Sequence, residues 1–185
     1  MLVIYLNETL KQGTVCELEI EFSGSLWENA EGMFKGGYAD KATGGKTFLA
    51  THLRPNNARK LFPCFDEPSF KVPFIVSISR PKKYMTLFNT AVKSTEETFV
   101  FFFVAYFEEL LLIHKIISYF SESDDDYLID HFFPTPPMST FTLGFVISQL
   151  TELPRPTVQE PGLTGPCIRV WSRPDLAADL LAAVR

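Results

Sequence analysis

The chain is poor in cysteine, has no closely spaced histidines, and has no glycine at all through its middle. Cys16, Cys64 and Cys167 are the three cysteines in 185 residues. They are too scattered for a CxxC metal site, and an odd number leaves at least one thiol unpaired. The histidines are His52, His114 and His131, and no two are four apart, so the His-Glu-x-x-His arrangement that holds zinc is not written in these residues. Basic residues are outnumbered 17 to 22 by acidic ones, giving a net charge of -5, which removes the electrostatic reason to bind a phosphate backbone. Nucleic acid is therefore excluded as an expected partner. The start, MLVIYLNETL, lacks a basic region, and its apolar run, Leu2 to Leu6, is shorter than the ~7 to 15 residues of a signal peptide, so it reads as carrying no export signal. What is present is ordinary for a globular chain. Hydrophobic residues make up 46% and charged residues 21%, which excludes wholesale disorder, a collagenous class and a disulfide scaffold. The length fits one domain, or one domain and a fragment of another.

Alternating polarity points to short strands. Cys16, Leu18, Ile20 and Phe22 fall on one face of Thr14 to Ser23, with Glu17, Glu19 and Glu21 on the other, which predicts a half-buried antiparallel strand. Gly32, Gly36, Gly37, Gly44 and Gly45 read as turn punctuation, followed by strands over Thr47 to Leu53, Val72 to Arg80 and Tyr84 to Phe88. Ser139 to Ser148 and Cys167 to Trp171 resume the pattern on either side of a proline-rich turn region, Pro154 to Pro166. The tail Asp175 to Val184 predicts a helix start with Asp175 as its N-cap. Strands with turn signals between them suggest an antiparallel β-sandwich.

The middle departs from this pattern. Thr98 to Phe120 is densely apolar and runs into the acidic stretch Ser121 to Asp126. It is long enough to cross a bilayer, but Glu108, Glu109, His114 and Lys115 cost roughly 2.5 to 3.5 kcal/mol each near the centre against about 0.3 to 0.6 gained per apolar residue, so no transmembrane span is expected. Asp124, Asp125 and Asp126 lack the alternate spacing and turn glycine of a calcium loop and read as a solvated surface run.

The block ARKLFPCFDEPSFK, Ala58 to Lys71, closely resembles the signature of the N-terminal domain of zinc aminopeptidases of the aminopeptidase N family. Three further blocks follow in the family's order. RPKKYMTLFNTAVKST (Arg80 to Thr95) looks like the strand pair after the signature, DHFFPTPPMSTFTLGFVIS (Asp130 to Ser148) is similar to the D-H-F-x-x-T-P-P-M-S-T-Y segment, and IRVWSRPD (Ile168 to Asp175) resembles the last strand. The resemblance implies an all-β, saddle-shaped domain over residues 1–174, incomplete at its start, with residues 175–185 beginning the next domain. Relatives have a much shorter, polar connection where this chain has about residues 98–129, so that stretch reads as an atypical apolar insertion. A translated intron or a faulty gene model is the leading explanation and a lineage-specific surface helix the second.

In relatives this domain packs over a thermolysin-like catalytic domain that removes N-terminal amino acids from peptides with a bound zinc. The catalytic domain is not in this chain: His-Glu-x-x-His, the downstream Glu ligand and the Gly-Ala-Met-Glu-Asn motif are all missing, so no zinc, no other cofactor and no hydrolytic centre are expected within these residues. The fragment is expected to be inactive alone and to meet peptide substrates only when a catalytic domain is attached. A non-catalytic binding or scaffold module of the same descent is the rival reading. The resemblance suggests the plasma membrane or the extracellular face, with the cytoplasm as alternative. Relatives precede the signature with Thr-Gln-x-Gln or Thr-Gln-x-Glu, which helps bind the substrate's α-ammonium. Here the matching stretch is Thr51-His52-Leu53-Arg54, so the substrate-binding positions are His52 and Arg54, both atypical. A guanidinium 4 Å from an ammonium would repel it by about 4 kcal/mol at an effective dielectric of 20.

The remaining signature residues read as structural. Asp66 and Glu67 are adjacent carboxylates whose side chains should diverge, which argues against an acid/base pair. Arg59 and Asp66 are expected to form an ion pair that pins the loop from Leu53 to Val72, and Pro63, Pro68 and Pro73 to stiffen it. Cys64 reads as a small buried hydrophobe, not a nucleophile, and His131 as a hydrogen-bonded structural residue. Asn7 heads the sequon Asn7-Glu8-Thr9 and is a glycosylation candidate if the chain enters a secretory compartment.

Overall fold

The computed structural model describes residues 3–9, 11–13, 18–27, 29–40, 44–98, 103–107, 110–114, 127–154 and 169–183. Its elements run β1 (Leu18–Phe22), β2 (Gly32–Asp40), β3 (Gly44–His52), a 3-10 turn (Ala58–Lys60), β4 (Lys71–Val72), β5 (Ile75–Pro81), β6 (Met85–Phe88) and β7 (Val92–Thr98). They continue through β8 (Phe103–Phe107), β9 (Leu110–His114), β10 (Tyr127–Phe132), β11 (Met138–Ser139), a 3-10 turn (Thr140–Thr142) and β12 (Phe145–Ser148). The chain closes with β13 (Thr151–Glu152), β14 (Trp171–Ser172), a 3-10 turn (Pro174–Leu176) and the short helix α1 (Ala177–Ala183).

Two main sheets carry the fold, one ordered β1-β9-β8-β5-β10-β7 and one ordered β2-β3-β12-β6. Their inner faces share one apolar core, in which Val76, Ile78 and Phe132 of the first sheet meet Met33, Leu49, Phe145 and Ile147 of the second. Val76 and Ile78 of β5 join the core and are essentially unexposed, each buried side chain contributing about 1.5 to 3 kcal/mol, and the intervening Ser77 and Ser79 are buried too. Phe88 of β6 and Phe132 of β10 touch across the seam with ring centroids 4.8 Å apart. The all-β architecture expected from the sequence is the one observed.

Local details correct the sequence reading. Gly32, Gly36 and Gly37 do not punctuate turns, because Gly32–Asp40 is one continuous strand paired along its length with β3. Gly36 is glycine because the Phe48 ring lies over it: a Cβ there would stand 2.1 Å from Phe48 Cζ. Gly44, at φ +83°, does keep the turn role. The first strand pairs in parallel with β9, where an antiparallel neighbour was expected. Arg80 to Thr95 is no strand pair either: β6 pairs with β12 and β7 with β10, in different sheets. Asp175 does not cap a helix through its side chain. It pairs with Arg173 at 2.7 Å, and Arg173 also reaches the Ala39 carbonyl and the Tyr38 ring.

The apolar middle is strand, not surface helix, where it is described. Tyr127 of β10 lies opposite Thr98 of β7, so residues 99–126 connect two adjacent antiparallel strands. Within that connection β8 and β9 form a hairpin that pairs with β5 on one side and β1 on the other. Cys16, Cys167, the acidic residues Asp124, Asp125 and Asp126, and Glu108, Glu109 and Lys115 lie outside the described residues.

Candidate functional site

The loop from Leu53 to Val72 leaves β3 and folds back on the core. Its first turn closes when the Asn57 amide donates to the Leu53 carbonyl at 2.8 Å and the Asn57 side-chain amide donates to the Arg54 carbonyl at 3.0 Å. The 3-10 turn that follows sends Ala58, Leu61 and Phe62 into the interior beside Leu53, so the loop is partly made of core. Arg59 then reaches across it. Its Nε donates to Asp66 Oδ2 at 2.9 Å, its own backbone amide to the same oxygen at 3.2 Å, and its Nη2 to the Asp66 carbonyl at 3.2 Å. Thr140 donates to the other carboxylate oxygen at 3.3 Å, and Ser139 Oγ donates to the Pro68 carbonyl at 2.8 Å. The signature loop is thus tied both to itself and to the segment that carries β11.

Asp66 is buried, bonded to Arg59 and Thr140, while the adjacent Glu67 is exposed. Pro63 is half-buried and Pro68 exposed. Cys64 packs half-buried against the core, and its thiol is pushed up to about 12, first by burial and then by the Asp66 charge. A thiol that weakly acidic supplies almost no thiolate near neutrality and is no nucleophile. Phe65 and Phe70 stack on each other at 5.2 Å on the outside of the loop.

His52 and Arg54 stand where β3 ends, both exposed, with buried Leu53 between them. The His52 Nδ1 lies 2.9 Å from the Ala30 carbonyl, which can only accept, so Nδ1 is the donor in this bond. Nearby groups absent from the sequence reading are Trp27, Glu31 and Lys60. Lys60 is paired with Glu31 and sits 4.9 Å from the Trp27 ring centroid. That hydrogen bond, and then the lysine charge, hold the Glu31 carboxyl below its ordinary value, with a smaller contribution from His52. Gly32 allows the approach: at φ +65° it leaves no room for a Cβ, which would fall 2.8 Å from Lys60 Cβ. Only Lys60, inside the signature block, lay in a motif. Arg54 is exposed and makes no ion pair among the described residues, whereas Lys60 is paired with Glu31.

His131 is held between strands, its Nδ1 2.8 Å from Ser77 Oγ and its Nε2 3.9 Å from Glu96. Asn7 and Thr9 are exposed. Among the described residues, no three His, Cys, Asp or Glu side chains are placed to hold a metal ion. No helix among them is long and apolar enough to cross a membrane.

Comparison with known proteins puts this loop in context. The family model described as the Peptidase M1 N-terminal domain matches residues 1–109. The chain is 29% identical over 178 residues to the aminopeptidase N of Bos taurus, covering 96% of the chain and 16% of that relative. It is 27% identical over 177 residues to the human aminopeptidase N, covering 96% and 15%. It is 32% identical over 176 residues to the thyrotropin-releasing hormone-degrading ectoenzyme of Rattus norvegicus, covering 95% and 14%. The chain therefore spans about a seventh of the length of these relatives.

Proposed function

The chain belongs to the peptidase M1 family through its N-terminal domain, and on that premise we propose that it serves as the N-terminal β domain of an aminopeptidase N-like zinc metallopeptidase, an enzyme that removes N-terminal amino acids from peptides. The observation that carries this reading is the signature loop, whose Arg59 to Asp66 frame and buried Leu61 and Phe62 make it a rigid part of the domain. In this reading residues 1–174 form the β domain, with the insertion at about 98–129, and residues 175–185 begin the next one. Signature residues Arg59, Pro63, Cys64, Asp66, Glu67 and Pro68 shape the domain and do not touch substrate. The family's zinc does not fit here, since none of the three histidines has a partner four residues away. Proteolysis is supplied by a catalytic domain packed against this one, and the chain alone is inert. Metal analysis after dialysis tests the point: far less than one zinc per chain is expected, and one tightly held zinc per chain would overturn it. The relatives' description as an ectoenzyme favours the external face of the plasma membrane, where Asn7 would be open to glycosylation.

A second reading, a non-catalytic binding or scaffold module, is favoured by one observation. His52 and the exposed cation Arg54 occupy the positions at which relatives present acceptors to an α-ammonium. Restoring Gln at His52 and Glu at Arg54, in a fusion to a related M1 catalytic domain, is expected to raise kcat/KM for free amino termini. An unchanged kcat/KM removes these positions from the substrate.

A further inference from the structure

The six-stranded sheet contains a hairpin between two strands that would match without it. β5 is antiparallel to β8, β8 is antiparallel to β9, and β9 is parallel to β1, so β1 runs parallel to β5. Inserting or removing a two-stranded hairpin changes no strand's polarity relative to its new neighbour. The registers also carry through. Ile20 lies opposite Leu112, Leu112 opposite Ala105, and Ala105 opposite Val76. In the same way Glu21 leads through Ile113 and Val104 to Ser77, and Phe22 leads through His114 and Phe103 to Ile78. Paired residues share a face, so sliding β1 onto β5 would set Ile20 beside Val76 and Phe22 beside Ile78. Val76 and Ile78 face the core, while Ile20 and Phe22 are only half-buried at its margin.

We propose that the β8–β9 hairpin is a removable wedge, and that without it β1 pairs directly with β5 in parallel, in the register Ile20 to Val76. The shift is about two strand spacings, roughly 10 Å. The chain between Phe22 and Trp27, whose amide is fixed to the Met33 carbonyl, can cover it, because five residue steps reach about 17 Å. The connection can close as well: Thr98 and Tyr127 are directly opposite, so a two-residue Asn-Gly turn replaces residues 99–126 without changing the β7–β10 register. Joined this way the sheet has four strands, β1-β5-β10-β7.

The test is a pair of cysteines on the face opposite Val76 and Ile78, Glu21→Cys with Ser77→Cys, in a chain whose Cys16, Cys64 and Cys167 are alanine. In the full chain the two positions are three strand spacings apart, roughly 14 Å, beyond the ~7 Å Cα reach of a disulfide, so no crosslink is expected. With residues 99–126 replaced by Asn-Gly, near-complete crosslinking on mild oxidation is expected. The same cysteines are also placed in the full chain with Ala105→Pro, which breaks the β8 ladder without shortening the polypeptide and should release the hairpin. Crosslinking in either altered chain supports the wedge. No crosslink in both, or equal crosslinking in the unaltered chain, overturns it.

Discussion

Asp66 and Asp130 are both buried carboxylates bonded by an arginine and by threonine hydroxyls, yet they secure different regions. Asp66 closes the signature loop on itself: Arg59 is seven residues away and is 59% exposed, while the carboxylate is 2% exposed. Asp130 joins strands that are remote in sequence. Arg80 Nε and Nη2 reach it at 2.5 and 3.1 Å from β5, Thr86 at 2.5 Å from β6 in the other sheet, and Thr95 at 2.7 Å from β7. Arg80 is itself 13% exposed and donates onward to the Tyr84 carbonyl at 2.6 Å. The first aspartate therefore shapes a loop, and the second holds the two sheets together beside the place where residues 99–126 leave and return. Burial raises the Asp130 pKa, but the bonds from Arg80, Thr86 and Thr95 outweigh it, and the carboxyl is held below its ordinary value.

That contrast sets the sizes of the expected effects. Asp130→Ala leaves the nearly buried Arg80 without its counter-charge and should cost about 3 to 5 kcal/mol in urea denaturation. A carboxyl depressed in the folded state stabilises above its unfolded value of 3.8 and loses that contribution as pH falls through the folded value. The gap between parent and variant should therefore narrow below pH ~4, and a gap that stays constant would mean Asp130 is held by packing alone. Asp66→Ala should cost less, about 2 kcal/mol, because Arg59 is already largely hydrated and what is lost is its bond to Arg59 and a long one from Thr140. If the two variants cost the same, the distinction between loop and seam fails. The smallest expected loss is for Gly36→Ala, about 1 kcal/mol, since the Phe48 ring that covers Gly36 has a free end able to tilt away. A loss above that of Asp66→Ala would show the ring to be locked.

The same contrast explains what could be read from the sequence. Arg59 and Asp66 fall within one motif, so their pairing was legible, as was the place of Val76 and Ile78 in a strand. The Asp130 network was not, because its partners come from three strands whose adjacency no local pattern states. Glycine misled the reading of β2, since its turn preference is a statement about backbone freedom, whereas Gly36 answers to a ring on the facing strand. The cluster of Trp27, Glu31 and Lys60 beside His52 is likewise a product of tertiary approach, with Gly32 as the sole local sign. The apolar density of Thr98 to Phe120 fits strand or helix equally, and the ladder with β5 decided it for Phe103–Phe107.

On the proposed reading, these residues provide architecture for a peptidase and none of its chemistry. The most direct measurement is release of p-nitroaniline from alanine p-nitroanilide by the purified chain. No turnover above buffer is expected at any chain concentration. Turnover that scales with the amount of chain and survives stringent purification would contradict it.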